Sequence, residues 1–221
     1  MMKLIQPISK KDQVVLAIKD AILSGAVEPG DQIVESRMAQ QLGTGIPLVR
    51  EALIDLEHQG FVQKTPFKGT SVTKLSPEEV RDIFRLRVEL ESLAVGWASG
   101  RVTEGDVKEL RGLIDGMRRA AAEGPDLGRF YEHDLAFHRK LWALSGNQYL
   151  VGALERVIVP LFAFFVMRNP REQESYAESA AAHARIVEAL PGAGEVELRA
   201  LMRESLEDWQ DDMLALLFPE H

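Results

Sequence analysis

ESRMAQQLGTGIPLVREALIDLEHQG, running from Glu35 to Gly60, is the stretch that decides how this chain folds. It reads as a short helix over Glu35–Leu42, a tight turn at Gly43-Thr44-Gly45, and a longer helix from about Pro47 to Gln59. Pro47 suits the first turn of that second helix, where a missing N–H costs nothing. Gly60 closes the helix. Upstream, Val14, Ile18 and Ile22 recur at helical spacing between Ser9 and Ser24, Gly25 ends that helix, and Glu28-Pro29-Gly30 is a turn. Downstream, Phe61–Lys64 and Thr70–Thr73 read as two strands of a small hairpin around Pro66-Phe67-Lys68-Gly69. Two helices joined by a glycine turn and followed by a hairpin make a winged helix-turn-helix. Such a unit lays its second helix in the major groove of DNA while the wing touches the backbone or minor groove.

A net charge of −8 looks wrong for a nucleic-acid binder, but the charge is unevenly spread. Residues 1–75 carry nine Lys and Arg against eight Asp and Glu, whereas residues 76–221 carry seventeen against twenty-six. The N-terminal part is therefore free to approach phosphates while the acidic remainder is repelled by them. With no cysteine in 221 residues, disulfides, thiolate chemistry and cysteine-ligated zinc are excluded. The stretch Met1–Lys11 lacks the apolar core of a signal peptide, and no run of about 18 apolar residues is apparent. The expectation is a cytoplasmic protein with no membrane partner.

A domain boundary is expected near Lys74, just before Ser76-Pro77-Glu78-Glu79, which combines a cap, a first-turn proline and a glutamate three residues on. That places a DNA-binding domain over residues 1–74 and an all-helical domain over 75–221. The second domain reads as helices over roughly 78–99, 104–123, 126–145, 148–168, 172–190 and 195–217, an antiparallel bundle. The fold class is mainly α, with strands only in the wing.

Several bundle stripes carry polar residues where apolar ones belong. Leu127, Phe130, Asp134, Phe137, Leu141 and Leu144 share one face, and His138 lies one turn from Asp134. Ala180, His183, Val187 and Leu190 form another inward stripe, and Arg87 falls among Ile83, Leu90, Ala94 and Trp97. A buried carboxylate without a partner costs several kcal/mol, so Asp134 needs a cation, a donor or a metal. These groups point to a polar cavity. Pairing of Asp134 with His183 as a plain buried contact, and of Arg87 with the face of a neighbouring helix around Glu91, are the simpler readings. The aromatics Trp142, Phe162, Phe164 and Phe165 read as core, with no site role.

The N-terminal residues resemble the GntR family of bacterial regulators. The resemblance rests on Gly25, Pro29-Gly30, Glu35-x-x-Met38-Ala39, Leu42-Gly43, Val49-Arg50-Glu51-Ala52-Leu53, Leu56, Gly60 and the wing Gly69-Thr70-x-Val72. It implies that Arg37 and Arg50 contact phosphates or base edges and that the wing at Lys68-Gly69 touches the groove. Arginine is suited to such contacts by its bidentate geometry. Where the family opens its recognition helix with a polar stretch, this chain has Gly45-Ile46-Pro47, so Ile46 reaches at most a thymine methyl.

The bundle is similar to the ligand-binding domain of the FadR-type branch of that family, called FCD. The matching residues are Arg87-x-x-Leu90-Glu91, Asp134-x-x-Phe137-His138, Ser145-Gly146-Asn147 and His183-x-x-Ile186. Many members hold zinc or nickel with one Asp and three His and bind a small carboxylate beside it. By resemblance Asp134, His138 and His183 are the metal ligands, while Arg87 and Asn147 serve the effector. The expected third histidine is Ser205. A metal held by three protein ligands and water, with help from Asp208, and a site without metal both remain open. The resemblance implies a homodimeric repressor that binds a palindromic operator and answers to a small carboxylate. It is not expected to be an enzyme. A metal-dependent enzyme and a protein-interaction adaptor that has lost DNA binding are the rival classes.

Overall fold

The computed structural model describes residues 8–122, 127–168 and 173–218; of residues 127, 173–176 and 208–213 the backbone is described but not the side chains. Contacts divide the chain into two compact units, Met1–Lys74 and Leu75–His221.

In the first unit α1 (Lys10–Leu23) starts on Ser9, whose hydroxyl accepts from the Asp12 N–H at 3.1 Å. Val14, Val15, Ile18 and Ile22 form its buried face. The short α2 (Glu35–Gln41) and the longer α3 (Ile46–His58) follow, with Gly43 at φ +61 turning between them. Val49, Ala52, Leu53 and Leu56 seat α3 on α1 and α2. Strands β2 (Val62–Thr65) and β3 (Gly69–Val72) make the expected hairpin. A further strand, which the sequence reading did not include, joins this hairpin: β1 (Gln32–Ile33) pairs with β3, giving a three-stranded antiparallel sheet ordered β1-β3-β2. Two residues are too short to show alternation, which is why the sequence hides this strand.

The hairpin turn has an unusual residue in it. Lys68 N–H donates to the Thr65 carbonyl at 3.1 Å, closing a four-residue turn with Pro66 second and Phe67 third. Phe67 sits at φ +65. Proline second and positive φ third define a type II turn, whose third place normally takes glycine or asparagine. An aromatic residue there costs on the order of 1–2 kcal/mol.

The second unit is α-helical throughout its described residues. It comprises α4 (Pro77–Ala98), α5 (Glu104–Ala122), α6 (Leu127–Leu144), α7 (Gln148–Arg168), α8 (Gln173–Ala189) and α9 (Glu195–Leu217). These match the helices read from the sequence to within two residues at each end. The start of α4 is a full capping box: Ser76 Oγ accepts from Glu79 N–H, and Glu79 Oε2 accepts from Ser76 N–H at 2.8 Å. Val80, Phe84, Arg87, Val88, Glu91, Ala94 and Val95 face inward along α4, which packs against α6, α7 and α9.

The expectation that no apolar stretch reaches membrane-spanning length also needs correction. Over α7 the mean hydropathy reaches 2.0, enough in length and composition to cross a bilayer. Glu155 and Arg156 interrupt the apolar run, yet the mean over 18 residues that include them is still this high. Its apolarity is used inside the bundle, because every residue from Leu161 to Val166 is buried.

Close helix packing gives a stability test. A Cβ on Gly116 of α5 would lie 2.6 Å from the His133 ring of α6, whereas one on Gly112 would meet nothing within 4 Å among the described residues. Gly116→Ala is expected to destabilise the bundle by about 1–2 kcal/mol through overpacking. Gly112→Ala should stabilise it by about 0.5–1 kcal/mol through helix propensity. Thermal unfolding of the two variants checks this; equal midpoints would refute the packing argument.

Candidate nucleic-acid interface and metal centre

The burial of Val49, Ala52, Leu53 and Leu56 turns the opposite face of α3 outward. Pro47, Arg50, Glu51 and Ile54 are exposed there, with Ile46 at its first turn and Arg37 exposed on α2. Lys68 and Gly69 are exposed at the wing, and Gly45 is the exposed N-cap of α3.

Arg50 does not stand free. Its Nε donates to Glu35 Oε2 at 3.1 Å and a terminal nitrogen donates to the same oxygen at 2.7 Å. This hydrogen bonding to Arg50 holds the Glu35 carboxyl below its ordinary range. The pair is exposed to solvent, so it contributes little to stability and exchanges readily for another anion. Fifteen residues separate the partners, so no local pattern announces the pair.

In the second unit, α4, α6 and α8 bring Arg87, Glu91, Asp134, His138 and His183 together. All are buried or nearly so. Glu91, fully buried, is the hub: Arg87 Nε donates to its Oε1 at 2.7 Å, and His138 Nδ1 lies 2.8 Å from its Oε2. Arg87 thus pairs along its own helix, i to i+4, and not with a neighbouring helix as the simpler sequence reading had it. Burial pushes the Glu91 carboxyl up, but His138 and Arg87 outweigh burial and hold it far below the usual range. An ionised carboxylate only accepts, so His138 Nδ1 carries the proton.

His183 is fixed in the same way. Its Nδ1 faces the Ser179 carbonyl, another pure acceptor. Both imidazoles therefore turn Nε2 inward, 3.0 Å apart, each presenting a lone pair there in its neutral form. Asp134 Oδ1 completes the cluster, 3.1 Å from His183 Nε2 and 3.8 Å from His138 Nε2. Burial holds His138 below its ordinary value, keeping it neutral near pH 7. Burial also opposes ionisation of Asp134, yet His183, His138 and Arg87 together keep its carboxyl below the ordinary range. Asp134 Oδ1 is buried with no hydrogen-bond donor among the described residues. Three electron-rich atoms converging in a buried site repel one another unless a proton or a metal cation lies among them. Their spacing suits ligand atoms sharing one ion at about 2 Å.

Beside the cluster is a cavity of about 40 Å³ lined by Arg87, Phe162, Ser179, Met202 and Ser205. Ser205 thus borders the cluster; the Asp208 side chain lies outside those described. Phe162, read from sequence as core alone, is part of the wall: its ring centroid is 4.8 Å from that of His138 and 4.8 Å from the Arg87 guanidinium. Trp142, Phe164 and Phe165 are core. Asn147 does not line the cavity. Its Oδ1 accepts from Tyr149 and Leu150 N–H groups, capping α7.

A winged helix-turn-helix followed by a helical bundle with a buried His–His–Asp cluster defines a class of bacterial regulatory protein, and comparison with known proteins specifies it. Residues 82–208 match the FCD domain, and residues 10–72 match the bacterial regulatory proteins of the gntR family. The chain belongs to the gntR family, in the branch that carries an FCD domain. Among its relatives, the HTH-type transcriptional regulator McbR of Escherichia coli K12 is 28% identical over 76% of this chain and 77% of its own length. YdhC of Bacillus subtilis, an uncharacterised HTH-type regulator, is 29% identical over 63% of this chain, which spans just under two thirds (62%) of YdhC. The solved structure of E. coli McbR/YncC matches in fold with a TM-score of 0.69 at 23% identity, covering 94% of this chain and 98% of that one.

The buried triad yields its own test. Glu91→Gln leaves Arg87 buried without an anion and should cost about 3–5 kcal/mol in urea unfolding at pH 7. A carboxyl whose pKa is depressed by folding stabilises above its unfolded value, about 4.3, and that contribution fades as pH falls below it. The gap between the two proteins should therefore narrow on acidification below about pH 4; a constant gap would show that Glu91 is not the ionised hub.

Proposed function

We propose that this protein is a homodimeric, sequence-specific DNA-binding repressor whose operator affinity is set by a small carboxylate bound in the helical bundle at a divalent metal. What carries the DNA part is the outward face of α3. Arg50 is presented there beside Pro47 and Ile54, with Arg37 on α2 and Lys68 on the wing as further cations. Arg50 exchanges Glu35 for a phosphate or a guanine edge, a trade between anions that costs little at a solvent-exposed pair. Two-fold pairing of the winged helices sets the symmetry of the operator. Repression is brought here from a relative, the probable D-xylose utilization operon transcriptional repressor of Paenarthrobacter nicotinovorans, 28% identical over 80% of this chain.

The residues present fit a metal. Asp134, His138 and His183 would hold it through Oδ1 and the two Nε2 atoms; Glu91 and the Ser179 carbonyl fix both tautomers from behind, the arrangement that orients ligating histidines generally. With serine at position 205, three protein ligands leave positions open to water or to a carboxylate. Arg87 faces the same cavity and hydrogen-bonds Glu91 through Nε, leaving its terminal nitrogens for the other end of that carboxylate. About 40 Å³ accommodates roughly three water-sized groups, which restricts the effector to a small acid. It regulates only if it binds the two operator-affinity states unequally.

Two experiments test these parts separately. A duplex selected from a random pool by the full-length protein should bind with steep salt dependence. Arg50→Ala should weaken that binding at least about tenfold with unchanged helical content; undiminished affinity would remove α3 from the interface. After dialysis against zinc or nickel, the parent should retain about one ion per chain by elemental analysis. His183→Ala should lower metal affinity by about 10–100-fold or more; equal content in both would leave Asp134–His183 as a structural contact only.

A further inference from the structure

The wing carries a side chain that nothing in the fold requires. A single exposed apolar residue is ordinary on a protein surface, and Phe67 would be unremarkable on exposure alone, which is 109%. Its backbone makes it otherwise. Phe67 occupies the glycine position of a type II turn at φ +65, so glycine or asparagine would relieve strain there. No packing contact repays the strain, since the ring lies wholly in solvent. The surrounding hairpin, Val62 to Val72, contains Lys64 and Lys68 and no acidic residue, in a chain whose net charge is −8. Strain, an exposed aromatic tip and local positive charge coincide at one point.

We propose that Phe67 is a minor-groove reader, an apolar probe that the wing presses into the groove beside each half-site and that favours A·T over G·C pairs there. This rests on the DNA-binding reading above. A two-stranded ribbon is too broad for a groove about 6 Å wide, because its strands alone lie about 4.8 Å apart before side chains are added. One side chain projecting from the tip can enter. Lys64 and Lys68 then lie toward the phosphates on either side of it. Apolar side chains in the minor groove press against base steps and partly unstack them, and pyrimidine–purine steps yield most easily. Guanine differs from adenine in that groove by its N2 amino group, a donor that an aromatic ring cannot satisfy and that fills the groove floor. The preference follows from that group.

The test uses the full-length protein and a fluorescein-labelled duplex that the protein itself selects from a random pool. Flanking pairs beyond each half-site are replaced one at a time by A·T, G·C or inosine·C, the last having the guanine shape without its amino group. The wild type should bind the A·T and inosine·C duplexes alike and the G·C duplex about tenfold more weakly at one step. Phe67→Ala and Phe67→Gly should lose that discrimination to within about twofold and bind less tightly. Their slope of log affinity against log salt should stay unchanged, whereas Lys68→Ala should reduce the slope by about one. Phe67→Gly should unfold at the same or a higher temperature than the wild type, separating a DNA role from a structural one. Wild-type indifference to inosine against guanine, or wild-type affinity in Phe67→Gly, overturns the proposal. Failure of the wild type to bind any duplex at low salt overturns the DNA-binding reading beneath it as well.

Discussion

The bundle is organised around one buried anion. Glu91 has no solvent exposure, and its carboxylate is stable there only because Arg87 and His138 each give it a hydrogen bond. An isolated carboxylate at that depth would take up a proton or unfold its surroundings. The consequence reaches beyond stability. By accepting from Nδ1, Glu91 determines which nitrogen of His138 carries the proton, and so determines that Nε2 meets His183 and Asp134 as a lone pair. The Ser179 carbonyl does the same for His183. Each imidazole is set from its outer side by an acceptor, and the electron-rich cluster is the result.

Sequence reading goes far where structure is local and stops where it is not. The capping box at Ser76 and Glu79, the turn glycines and the 3.6-residue stripes place the helices closely, because those signals act within one turn of chain. Asp134 and His138 are legible as a pair, being one turn apart on a stripe that is otherwise apolar. His183 is legible as the odd polar residue of its own stripe. Glu91 is the instructive miss. A glutamate reads by default as surface, and its contact with His138 spans 47 residues. The available signal was its i, i+4 spacing from Arg87, which already stood on an inward face. Arg50 and Glu35 fail to announce each other for the same reason, and Asn147 shows the reverse error, a resemblance assigning effector duty to a side chain occupied with capping α7.

The two units solve different electrostatic problems. The first leaves cations exposed in pairs that are easily exchanged, as Arg50 is with Glu35. The second carries exposed pairs of its own, such as Arg85 with Asp82, but also buries a polar network: Arg87 against Glu91, with His138 and His183 beside Asp134. Exposed pairs trade partners at small cost, whereas buried ones do not, because a group removed from a dry network leaves its partner without solvent to replace it. A surface meant to exchange water for phosphate and a pocket meant to keep a fixed shape call for these opposite solutions.

That contrast bears on the site proposed for a small acid. A carboxylate placed there as proposed would meet the terminal nitrogens of Arg87, whose Nε Glu91 already holds, and both residues belong to α4. Val80, Phe84 and Val88 lock that helix into the core. Its first residue, Pro77, lies three residues past Lys74, where the first unit ends, and the capping box at Ser76 and Glu79 keeps that end from fraying. The residues that define the pocket chemically are thus the ones that hold that helix in place within the bundle.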